Sequence, residues 1–195
     1  AAPLSPEDCQ AQSMPDASPT KWHLAHVTWF FETLVLKSFE PNFKPWNAQF
    51  QTLFNSYYNA VGDKHPRHQR GLLTRPSLTD VMAWRKNVND RIEALLKSND
   101  PDNAEFNWLV GLGIEHEQQH QELLLTDIKH LLSCNALYPS YQSLPLSAKS
   151  SSNSTPSKWL SGSSGIQEVG FDESKEGFHF DNEAPRHSIF LQPYQ

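Results

Sequence analysis

The chain has 195 residues, a formal net charge of −6 and a pI near 5.8. That length suits one well-packed domain and part of a second, and the acidic balance without a dominant basic patch argues against a nucleic-acid partner. The longest apolar runs fall far short of a membrane span, so no membrane segment is expected.

Four helices are predicted in chain order. The first opens at Ser18-Pro19, an N-cap followed by Pro at the first helical position, and runs to Leu36. Its inner stripe is Trp22, Ala25, His26, Trp29, Thr33 and Leu36. Pro41 and Pro45 follow, then a shorter helix expected over Gln49–Val61 and a polar loop from Gly62 to Gly71. The third helix starts after Ser77, which with Asp80 forms a capping-box pattern, and its stripe is Val81, Trp84, Val88, Ile92 and Leu95. The fourth is the longest, about Asn103 to Leu132, capped by Asp102 or Asn103. Four amphipathic helices make a mainly α chain built as a four-helix bundle, an architecture that places metal sites between facing helices.

The long helix carries the pattern richest in chemistry, His116-Glu-Gln-Gln-His-Gln-Glu122. Histidines at i and i+4 share one helix face, with Cβ atoms about 5–6 Å apart, and two neutral imidazoles at that spacing can hold one divalent ion. Nine histidines in 195 residues would produce about 0.4 such pairs by chance, so the pair needs a third ligand to stand out from a solvated polar face. Glu122 lies about 200° around the helix from His120 and is better placed behind the ligands or on the surface than on the same ion. Asp127 returns to the histidine face, where it orients a ligand or faces solvent. The third ligand is therefore sought on helix one, among His23 and His26, and helical position favours His26, in the stripe with Trp22 and Trp29. Three neutral histidines leave a dication its full charge, which suits Fe²⁺ with open positions for O₂ and substrate, or Zn²⁺ with an activated water or thiolate. Arg67 and Arg70, three residues apart in the polar loop, can aim two guanidiniums at one carboxylate; Arg75 is a weaker candidate of the same kind. Gln119, one turn from His116, is placed to hydrogen-bond a substrate beside the metal.

Residues 1–140 form the expected bundle, 141–165 a Ser-rich linker, and 166–195 the start of a β-rich module too short to bury its own core. Two cysteines, Cys9 and Cys134, make no disulfide framework and point to a reducing, cytoplasmic setting. The N-terminus lacks the basic and apolar regions of a signal peptide, and Ser188–Gln195 reads as an interrupted strand, so the sequence is expected to be a piece of a longer chain.

Several stretches together resemble one family. Met14-Pro-Asp-Ala-Ser-Pro-Thr-Lys-Trp-His-Leu-Ala-His-Val-Thr-Trp-Phe-Phe-Glu32, His65-Pro-Arg-His-Gln-Arg-Gly-Leu-Leu-Thr-Arg-Pro76 and His116-Glu-Gln-Gln-His-Gln-Glu-Leu-Leu-Leu-Thr-Asp-Ile-Lys-His130 resemble the signatures of the sulfoxide synthases of ergothioneine biosynthesis. Phe180-Asp-Asn-Glu-Ala-Pro-Arg-His187 is similar to the opening of their second domain, which is like the sulfatase-modifying factors and the formylglycine-generating enzyme. The resemblance implies a DinB-like four-helix bundle joined to a C-type-lectin-like α+β domain, here cut short. It implies a mononuclear non-haem Fe²⁺ on His26, His116 and His120, and O₂ as co-substrate. It implies that Gln119 contacts the imidazole of hercynine, and that Arg67 and Arg70 grip carboxylates of cysteine or γ-glutamylcysteine. The reaction it implies joins the thiol sulfur to imidazole C2 of hercynine and oxidises it to a sulfoxide. The family's catalytic tyrosine lies in the remainder of the second domain, and no tyrosine here matches it. The alternatives are a DinB-like thiol-dependent transferase or hydrolase using Zn²⁺, and a bundle that serves as a non-catalytic interaction module.

Overall fold

A computed structural model describes residues 1–56, 58, 62–98, 100–142 and 157–195. The chain divides into two units, Ala1–Ser143 and Leu144–Gln195.

The first unit is helical. Its elements are α1 (Pro6–Gln10), α2 (Thr20–Phe30), a wide π turn (Phe31–Leu36) closed by α3 (Lys37–Phe39), α4 (Phe50–Leu53), a 3₁₀ helix (Arg67–Leu72), α5 (Leu78–Ser98) and α6 (Ala104–Ser133). α2 is the central element: every residue from Thr20 to Phe30 is buried except Leu24, which is half-buried. It packs against both α5 and α6. A helix apolar all round is stable only when other elements enclose it, and Trp22, Ala25, Trp29 and Phe30 supply the apolar surface on its several faces. α5 contributes Val81, Trp84, Val88 and Ile92 to the same core, at the helical spacing read from the sequence, and α6 contributes Phe106. Each such side chain gains roughly 1.5–3 kcal/mol on leaving water.

The caps explain where the helices begin. Ser77 and Asp80 make the expected reciprocal box: the Asp80 N–H donates to Ser77 Oγ at 3.1 Å, and the Ser77 N–H donates to Asp80 Oδ2 at 2.9 Å. Asn103 caps α6 by accepting from the Phe106 N–H at 3.1 Å. The first long helix differs from expectation. Pro19 stands at its N-cap, and the Ser18 hydroxyl accepts from Arg70 instead of capping. Beyond Phe30 the helix widens, with bonds reaching one residue further back. The wider turn carries Thr33 off the inner stripe, leaving it half-buried, and buries Glu32, Val35 and Leu36. Glu32 Oε1 is satisfied by the Trp46 N–H at 2.9 Å and Trp84 Nε1 at 3.1 Å.

The expected helix over Gln49–Val61 shortens to the single turn of α4; residues 57 and 59–61 lie outside the described residues. Side chains take the carbonyls that would have continued it. Trp29 Nε1 donates to Gln51 O at 3.0 Å, and His26 Nδ1 bonds Phe54 O at 2.6 Å. Buried Asn55 donates through Nδ2 to the carbonyls of Tyr58 and Gly62, at 3.1 and 2.9 Å, holding a loop in place of a helix. Among the described residues the unit shows three long helical elements and a single turn, Phe50–Leu53, within the span expected to hold the fourth.

The N-terminal segment clasps the 3₁₀ helix. Gln10 Nε2 donates to Gly71 O at 2.7 Å, Gln12 Nε2 to Arg67 O at 2.9 Å, and the Gly71 N–H to Gln12 Oε1 at 2.7 Å. A Cβ at Gly71 would stand 2.7 Å from Gln12 Cβ, so this close approach requires glycine.

The second unit holds an antiparallel pair, β1 (Gly165–Val169) and β2 (His187–Leu191), in register from Gly165 opposite Leu191 to Val169 opposite His187. Strand β1 begins on the last residue of the expected linker. Most of that linker, 143–156, lies outside the described residues.

Candidate metal centre

Helix α2 presents His26, and α6 presents His116 and His120, from opposite sides of one gap. Their ring centroids are 5.0 Å apart for His26 and His116, 4.6 Å for His26 and His120, and 4.6 Å for His116 and His120. One nitrogen from each ring falls within 4.8 Å of the other two. Metal–nitrogen bonds of about 2.0–2.1 Å on either side of an ion span roughly 4 Å, so the triangle is one ion wide.

The three rings are held by different means. His26 is stacked between Trp22 and Trp29, with centroids 4.6 and 5.4 Å away, and its Nδ1 bonds Phe54 O. His116 stacks on Phe30 at 4.6 Å, and its Nδ1 is buried without a hydrogen-bond partner. His120 Nδ1 meets His23 Nδ1 at 2.9 Å. Burial keeps all three imidazoles neutral: it lowers His116 to about 4 and, with the repulsion of neighbouring cationic forms, lowers His120 to about 3. His26 is driven well below its usual value by burial first and by the other two rings next. A buried imidazole nitrogen with no partner, in an all-nitrogen neutral set, fits a divalent cation: the ion would use lone pairs that the protein leaves unspent.

The rings open on a cavity of about 380 Å³. Arg70 and Arg67 stand one turn apart on the 3₁₀ helix, where residues three apart eclipse, so both reach it. Arg70 is buried, lies 3.3 Å over the Trp22 ring, and donates to Ser18 Oγ at 2.9 Å and Ser56 Oγ at 3.3 Å. Arg67 and Gln119 are exposed at the cavity's edge. Arg75 lines a different cleft, with Trp46 and Asp80, and takes no part here. Tyr58, Ser18 and Ser56 also line the cavity; Ser18 was read as a helix cap and the other two as part of a helix, and no local signal marked any of them as lining a site.

The arrangement is one that could hold a metal ion beside a cationic, aromatic-walled pocket. The family model of the DinB superfamily matches residues 1–124, which carry every residue of the cluster. The chain belongs to the DinB superfamily. DinB members are metal-binding, often metal-dependent enzymes, and the three histidines can form such a site in this one. No curated protein matches the chain.

Two carboxylates expected behind the ligands part ways. Asp127 is half-buried and accepts at Oδ2 from the Ser18 N–H at 2.9 Å and from His23 Nε2 at 3.0 Å. Burial alone would raise its pKa, but those two hydrogen bonds outweigh it and hold the carboxyl below the usual range. Glu122 takes the surface alternative of the two left open: it is exposed, and its carboxylate makes no hydrogen bond or ion pair among the described residues. Its angle on the helix turns it to solvent. His23, passed over as a ligand, is buried and contacts His120 directly.

Proposed function

We propose that the DinB-like unit is the metal-binding part of a sulfoxide synthase of ergothioneine biosynthesis, joining the sulfur of cysteine or γ-glutamylcysteine to imidazole C2 of hercynine. The observation that carries this reading is the meeting of three neutral imidazoles, two arginines and Gln119 on a single cavity. His26, His116 and His120 would hold Fe²⁺, leaving the ion its full charge. When bound, the ion supplies the redox chemistry with O₂. Arg70, fixed by Trp22, Ser18 and Ser56, offers a charge already in place for a substrate carboxylate, and Arg67 adds a second from the rim. Gln119 reaches the cavity one turn from His116, where its amide can orient an imidazole or a carboxylate. The burial that strips protons from the ligand histidines also shields the site from bulk water.

The test is an assay of the chain together with the complete second domain, supplied with hercynine, O₂, Fe²⁺ and either thiol. Formation of the hercynine sulfoxide conjugate supports the reading; failure with both thiols overturns it. Metal analysis of anaerobically purified protein separates the rivals. Stoichiometric Fe²⁺ lost in His26→Ala favours the synthase, exclusive Zn²⁺ favours a DinB-type thiol transferase, and absence of metal favours an interaction module.

A further inference from the structure

His23 is a buried titratable group that the proposed function leaves without work. It is 4% exposed, and Asp127, which it contacts, is 14% exposed. Its two ring nitrogens are both engaged: Nε2 with Asp127 Oδ2 at 3.0 Å, and Nδ1 with His120 Nδ1 at 2.9 Å. We propose that Asp127 and His23 form a positioning pair that holds His120 as its Nδ1–H tautomer and turns the Nε2 lone pair toward the metal. The proposal rests on reading His26, His116 and His120 as the ligand set.

The proton positions follow from one acceptor. An ionised carboxylate has no proton to give. Asp127 Oδ2 already accepts from the Ser18 N–H, so the proton shared with His23 belongs to His23 Nε2. With His23 neutral, its single N–H is the one given to Asp127, which leaves Nδ1 a lone pair. Two lone pairs do not face each other at 2.9 Å. His120 Nδ1 therefore carries the proton and donates, and its remaining nitrogen, Nε2, is the free ligand atom. His26 arrives at the same state by another route: its Nδ1 donates to Phe54 O at 2.6 Å, which also leaves Nε2 free. Two ligands from two helices are thus presented through Nε2 by hydrogen bonds made on the far side of each ring. That is the usual way a protein fixes a metal-bound histidine, through a carboxylate or carbonyl behind it. Here the carboxylate acts at one remove, across a second imidazole. Asp127 lies seven residues beyond His120 on α6, and His23 lies three residues before His26 on α2. The pair consequently ties the two ligand-bearing helices together at the site.

A residue that merely fills the core would not set a tautomer, and this separates the two roles. The chain is labelled with ¹⁵N-histidine, kept metal-free, and its imidazoles are read by long-range ¹H–¹⁵N NMR. The expected spectrum shows His120 protonated at Nδ1 and unprotonated at Nε2; protonation at Nε2 overturns the proposal. In Asp127→Leu the acceptor is lost, His23 can carry its proton on either nitrogen, and His120 should become a mixture of tautomers. Affinity for Zn²⁺ or anaerobic Fe²⁺, measured by chelator competition, should then fall about 10–100-fold. Asp127→Asn keeps a carbonyl oxygen for both donors and should recover most of the affinity. Asp127→Leu within twofold of wild type overturns the proposal. If that variant fails to fold, the wild-type spectrum and Asp127→Asn still decide. If the wild type binds neither ion, the ligand reading fails, while the spectrum still answers for the hydrogen-bonded pair.

Discussion

Burial deprives the protonated forms of His116 and His120 of solvation, and this has a measurable consequence. Their folded pKa values, about 4 and about 3, lie below the 6.5 of an exposed histidine. As pH falls below 6.5 the unfolded chain takes up protons that the folded chain refuses, so their contribution to stability is whole above 6.5 and is lost progressively toward pH 4–3. Urea unfolding of the metal-free chain should show a steeper loss of stability between pH 7 and pH 4 than the His116→Gln variant does; equal slopes would refute the shift. At pH 7 the ligands are already neutral, so metal binding should release almost no protons, which calorimetry in buffers of different ionisation enthalpy can check. On the proposed synthase reading, charge reversal in Arg67→Glu, at the exposed rim, should raise KM for the thiol more than for hercynine; equal effects on both would refute that role. The face shared by His116 and His120 was legible in the sequence because i and i+4 spacing fixes it. His23 was harder to place, because its value comes from Asp127 and His120, about a hundred residues away.

Among the elements, α2 and α6 must approach closely for the imidazoles to meet. Gly113 marks the crossing: a Cβ there would stand 2.6 Å from Phe31 Cζ and 3.2 Å from Phe30 Cε1. Phe30 in turn stacks on His116. Gly113→Val should cost about 1–3 kcal/mol through overpacking and weaken metal binding by pushing α6 away; a variant with unchanged unfolding free energy and unchanged affinity would refute this. The long helices α5 and α6 could be read from period and caps, since those signals are local. The widening of α2 after Phe30 and the shrinking of α4 were not legible. Both depend on carbonyls and packing positions claimed by residues elsewhere, as with Trp29 on Gln51 and His26 on Phe54.

At the scale of the molecule, the buried apolar residues among those described and the three clustered histidines lie within residues 9–128, inside the first unit. A chain ended after Gln142 should therefore keep its helical circular dichroism and its metal affinity; loss of either would show that the second unit supports the site. In the second unit no described residue is buried, and a two-stranded pair of that kind is marginal in water. Among the described residues no helix is long and apolar enough to cross a membrane. By itself the sequence determined the helical character, the start of α5 and α6, the histidine face of α6 and the arginine pair, because propensity, capping and period act over a few residues. Only the tertiary structure decided that Arg70 is buried on Trp22, that Glu122 faces solvent while Asp127 reaches His23, and that His26 completes the triangle. Those outcomes depend on which helix faces meet, and burial, hydrogen-bond partners and proton positions are properties of the meeting rather than of either strand of sequence.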